Sequence, residues 1–143
     1  MKKLYWATTY FVIGYALIVA IVVMMSAVPG QLIRVFTFVL SSIIFTEMAL
    51  RYFKKIGQND HQTKQSALLL GVYWSILSIS IDIALMVILL PLLNHGAISW
   101  VFFEQQSSLY WLQFPLLIAT TVAGNFIYSK LLSISTSADK IRI

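Results

Sequence analysis

The chain has 143 residues, 59% of them hydrophobic and only 10% charged, with a formal net charge of +5, and a mean hydropathy of +0.85. That balance lies outside the range of soluble globular domains and predicts an integral membrane protein, with length for four spans of about 20 residues and no room for a soluble domain. No cysteine is present, which excludes disulfide frameworks, thiolate metal sites and cysteine nucleophiles.

Four apolar runs follow in chain order: 5–28, 33–53, 67–93 and 109–132. Lipid offers no partner to a bare backbone group, and the runs lack the alternation of barrel strands, so each is expected to be an α-helix. The fold class is therefore an all-α, four-helix membrane bundle. Helix one opens on Lys2 and Lys3, but its apolar core is too long for a cleaved signal and Ser26-Ala27-Val28 is a poor cleavage site, so it reads as a retained span. Apart from Ala16 and Ala20 it is mostly bulky and apolar, and a more lipid-facing position than that of the other three helices is expected for it. Pro29-Gly30 makes a turn into helix two. Residues 54–65 form a polar loop, and residues 94–108, with Trp100, Phe102 and Phe103 among polar neighbours, read as an interfacial segment.

The basic residues set the topology. Nine of the ten flank the termini and the 54–65 loop; Arg34 alone falls on the other side. The positive-inside rule then places both termini in the cytoplasm and the chain in a prokaryotic inner membrane. The charge is an orientation signal, with membrane lipids as its surroundings; no basic-aromatic patch points to nucleic acid.

Asp82 is the one charge in the run 67–93. A carboxylate at such depth costs about 2.5–3.5 kcal/mol on insertion scales, so it is expected to be paired or used. At ~1.5 Å per residue, Arg34 stands about 28 Å and Asp82 about 22 Å from the cytoplasmic boundary, with Gln113 about 6 Å below the outer end of helix four. An Arg34–Asp82 ion pair beside Gln113 is geometrically open, although Arg34 could equally anchor at the interface. Glu47 and Asn125 form an inner layer about 9–10 Å up, where Glu47 has Arg51 one turn later as a local partner. Gly71, Ser75, Ser78 and Asp82 share one stripe of helix three, with Trp74 at its edge. Helix four carries Gln113, Thr120 and Gly124, bordered by Thr121, Asn125 and Tyr128, and helix two aligns Arg34 with Ser41. Small and hydroxyl residues allow close approach in lipid, so helices two, three and four are expected to pack through these faces.

Enzymatic constellations are sparse. His61 and His95 belong to opposite loops, and no H-E-x-x-H, phosphate loop or serine elbow is present. No catalytic residue, metal or cofactor is expected. Two roles remain: a non-enzymatic accessory, assembly or regulatory component acting through helix contacts with its own copies or another membrane protein, or a minimal oligomeric transporter or channel with Asp82 as ion or proton site. The first is preferred.

The run Gly71-x-x-Trp74-x-x-x-Ser78-x-x-x-Asp82, the aromatic outer loop, Leu109-Tyr110-Trp111 leading to Pro115, and Gly124 resemble a group of small uncharacterised four-helix prokaryotic membrane proteins. The resemblance covers helices two to four. Trp111 stands where that group usually has tyrosine, and the preceding loop is less acidic. What the resemblance implies is the four-helix fold; the group carries no role to transfer.

Overall fold

In the computed structural model, residues 2–25, 30–56, 64–93, 100–104, 106 and 108–141 are described. They form α1 (Lys2–Met24), α2 (Gly30–Ile56), and α3, which runs from Lys64–Asp82 through Ile83–Leu89 into Leu90–Leu93. A short α4 (Val101–Glu104) precedes the long α5 (Ser108–Ile141). The polar loop and both histidines, together with Pro29, fall wholly or largely outside the described residues. Four of the helices are long and apolar enough to cross a membrane. Their outer surfaces carry large exposed apolar side chains on every helix, among them Val23, Ile43, Leu69 and Phe126.

The helices form a ring rather than a chain of neighbours. α2 packs against α1 and α5, and α3 packs against α5 and more sparsely against α1. Among the described residues no Cα pair of α2 and α3 lies within 8 Å, so these consecutive helices face each other across a diagonal. Large side chains fill that diagonal. Phe11, Phe45 and Trp74 meet with ring centroids 5.6–6.1 Å apart, one ring from each of α1, α2 and α3.

Among the described residues helix one is the least buried of the four long helices, yet one stripe of it enters the core. Ala7, Phe11 and Gly14 are buried, and Trp74 Nε1 donates to the Ala7 carbonyl at 3.0 Å. The reason is steric: Ala7 and Gly14 are small enough to let α1 approach, and Phe11 supplies the ring that the diagonal needs. Trp74 is 0% exposed, and its N–H requires a partner in an apolar core. Trp74→Phe therefore leaves both a void and a lost hydrogen bond. It should lower stability by about 1–2 kcal/mol, read as an earlier thermal transition in detergent, with an unchanged transition counting against this placement of Trp74.

Glycine sets the two tightest crossings by lacking a side chain. A Cβ on Gly124 would lie 2.7 Å from Ala49 Cβ and 2.9 Å from the Thr46 carbonyl oxygen, which marks the α2–α5 crossing. A Cβ on Gly71 would lie 2.6 Å from Ile118 Cα at the α3–α5 crossing. Two side-chain bonds to backbone flank Gly71: Ser75 Oγ donates to Phe114 O at 3.2 Å, and Thr121 Oγ1 to Ala67 O at 2.8 Å.

Packing is uneven along the bundle. Among the described side chains, the buried residues of α1 stop at Gly14, those of α2 begin at Phe45, and those of α5 begin at Leu117. The end that carries Ile56 and Lys64 is thus densely packed, while the end that carries Arg34 and Tyr110 is looser. Polar side chains collect at the loose end.

Candidate functional site: a carboxyl clasp beside a polar hollow

Asp82 is 7% exposed and accepts two tyrosine hydroxyls. Tyr15 Oη donates to Oδ1 at 2.9 Å and Tyr110 Oη to Oδ2 at 2.8 Å. The partners come from α1 and α5, so the carboxyl of α3 ties together two helices that, among the described residues, have no Cα pair within 8 Å. Sequence spacing explains the α1 side. Trp74 meets Ala7 and Asp82 meets Tyr15 at the same separation of 67 residues, as expected of two parallel helices held in register.

Backbone geometry marks the same place. Asp82 has ordinary helical angles, φ −62° and ψ −40°, but the turns after it, Ile83–Leu89, widen to a π-helix. The Leu90 N–H bonds to Leu85 O, five residues back. Pro91 supplies a cause: it has no N–H to give, and its ring crowds the carbonyl one turn earlier, a conflict relieved by a wider turn. The widening shifts the buried face. After Asp82 the next buried residue is Val87, at 0% exposure and five positions on, where a regular helix would turn Met86 inward.

Two hollows adjoin the clasp. The larger, about 250 Å³, is lined by Arg34, Thr37 and Ser41 of α2, by Gln106, and by Tyr110 and Gln113 of α5, with Val22, Ile33 and Phe38 as apolar wall. The smaller, about 80 Å³, shares Thr37, Ser41 and Gln113 and reaches Tyr15, Ser78 and Thr120. Phe45 lies in its wall, and Phe45 belongs to the three-ring stack. Each tyrosine of the clasp thus also faces a hollow, Tyr110 the larger and Tyr15 the smaller. Phe103 and Phe114 pack against the Tyr110 ring at 6.0 and 5.6 Å and hold it in place.

The structure brings some of the sequence-stripe residues together and separates others. Gly71, Ser75, Ser78 and Asp82 lie on the buried face of α3, and Thr120, Thr121, Gly124 and Asn125 on that of α5. Arg34 and Gln113 share the larger hollow. The Arg34–Asp82 pair is not among the ion pairs of the described residues, and the tyrosines hold both Asp82 oxygens instead. The physical reason is directional: a phenol on α1 and another on α5 reach the buried carboxyl from the interior, whereas Arg34 is exposed on α2, across the diagonal. Glu47 pairs with Arg51 at 2.7 Å on the exterior, with side chains 46% and 60% exposed.

Tyr15 and Thr37 were not singled out by their spacing. A signal existed for Tyr15: a phenol inside an otherwise apolar span needs a partner for its O–H. Among the described residues no group of three metal-ligating side chains is present. No family model, curated protein or solved structure matches the chain.

Proposed function

We propose that the chain is a four-span integral membrane protein of a prokaryotic inner membrane, with both termini cytoplasmic, that works without catalysis through helix contacts as an accessory, assembly or regulatory component. The exposed apolar exterior supports the membrane setting, since such a surface suits lipid and not water. One observation carries the contact role. Ser42, Thr46 and Glu47 line an open groove of about 410 Å³ on the outside of α2, together with Ile43, Leu50 and Ile127. Thr46 and Ser42 bond back to their own helix, and Glu47 to Arg51. A charged pair and two hydroxyls facing hydrocarbon are costly, and a partner helix laid in the groove removes them from lipid.

The lack of cysteine makes the test direct. Ile43→Cys places a single thiol in the groove, and Ile76→Cys places one on the exposed face of α3. Thiol cross-linking in native membranes should give a discrete adduct from Ile43→Cys, either a dimer or a complex with one other membrane protein, and none from Ile76→Cys. Equal cross-linking at both positions, or none at either, would sink the reading.

A further inference from the structure

We infer that the hollow beside Arg34 is a binding site for a phosphate-type anion, a role distinct from helix contacts at the α2 groove. The argument begins with the hydrogen-bonding capacity of its lining. Thr37 Oγ1 already donates to Ile33 O at 2.7 Å, and Tyr110 Oη donates to Asp82, so these hydroxyls present lone pairs. Ser41 and Gln113 make no hydrogen bond with other described residues, and both face the two adjoining hollows. A hydroxyl proton and an amide NH₂ are therefore available in the same space, beside the guanidinium of Arg34.

Charge points the same way. Arg34 is permanently protonated, and among the described residues no acidic side chain lines the hollow; Asp82 lies behind Tyr110, engaged with its phenol. Guanidinium groups favour oxyanions because their planar donors match two oxygens at once. Amide and hydroxyl donors from Gln113 and Ser41 complete the set on the inner side. The hollow is partly open, and Val22, Ile33 and Phe38 give it an apolar wall. This combination suits a phosphate joined to an apolar body, as in the headgroup of a phospholipid in the adjacent leaflet, and it suits a free phosphate by the same chemistry. Only the lipid source depends on the membrane reading.

The purified full chain, stripped of lipid in detergent, can be titrated with phosphatidylglycerol by native mass spectrometry and with inorganic phosphate by thermal shift. Wild type should bind at least one of the two. Lipid binding that inorganic phosphate cannot displace identifies the headgroup as the source, and stabilisation by phosphate alone identifies the free anion. In either case Arg34→Gln should weaken binding about tenfold and Gln113→Leu about threefold, as expected for one charge-assisted contact and one neutral contact. Arg34→Lys, which keeps the charge but loses the planar donor pair, should bind more weakly than wild type and more tightly than Arg34→Gln, and Arg51→Gln at the opposite end of α2 should leave binding unchanged. Binding of neither probe overturns the assignment. So does equal affinity in wild type and Arg34→Gln, or an equal loss in Arg51→Gln. Should Arg34→Gln fail to fold, Gln113→Leu and Arg34→Lys carry the test.

Discussion

Gly124→Ala destabilises the bundle by about 2–3 kcal/mol, a larger loss than exposed substitutions cause. The added methyl meets Ala49 Cβ at 2.7 Å, the Thr46 carbonyl at 2.9 Å and the Leu50 nitrogen at 3.0 Å. Two of those three atoms are backbone, so no rotamer change makes room; α2 and α5 must move apart. That separation reaches Phe45 on α2, whose ring is stacked on Phe11 and packed against Trp74. Gly14→Ala is the internal control, because its methyl would meet only side-chain atoms of Phe45 and Met48, at 3.1 and 3.2 Å. Those can shift, and a loss below about 1 kcal/mol is expected there. Melting or denaturant titration in detergent separates the two cases. Equal stability of wild type and Gly124→Ala would mean that the crossing is not as close as described.

Much of this architecture is legible in the residues themselves. The four spans follow from run length and composition, and the small-residue stripes of α3 and α5 follow from helical phase, because small side chains in lipid mark where backbones approach. Three features were hidden. The diagonal placement of α2 and α3 leaves no trace in either helix's own pattern, since it depends on which partner fills the space between them. The stripe by which α1 enters the core was hidden because bulk is read as a sign of lipid exposure, whereas Phe11 and Tyr15 use bulk to reach the centre. Finally, the spacing of charges left Arg34 open as a partner for Asp82 on height alone. Height along the membrane normal does not fix direction around a helix axis, and two phenols were better directed. Pro91 offered a local clue to the widened turn after Asp82, but only if a proline at a helix end is read for its effect on the preceding turn.

Asp82→Leu destabilises the protein by about 2–5 kcal/mol, and the reason lies less in the lost carboxyl than in what it leaves behind. Tyr15 and Tyr110 would each retain a hydroxyl at a part-buried site without its acceptor, at about 1–3 kcal/mol apiece. Removing both partners as well reverses that cost: the triple variant Asp82→Leu, Tyr15→Phe, Tyr110→Phe should recover most of the stability. Single Tyr15→Phe or Tyr110→Phe changes leave Asp82 one donor and should cost about 1 kcal/mol each. Asp82→Asn, which keeps an acceptor oxygen, should be similarly mild. Recovery by Arg34→Gln in the Asp82→Leu background, with none from the tyrosine changes, would restore the ion pair in place of the clasp. The same series separates structure from transport. If the carboxyl carried an ion or proton, Asp82→Asn would abolish a flux through reconstituted protein while its melting stayed near wild type. In a purely structural clasp, loss of function follows loss of stability across all five variants, and the triple variant regains both together.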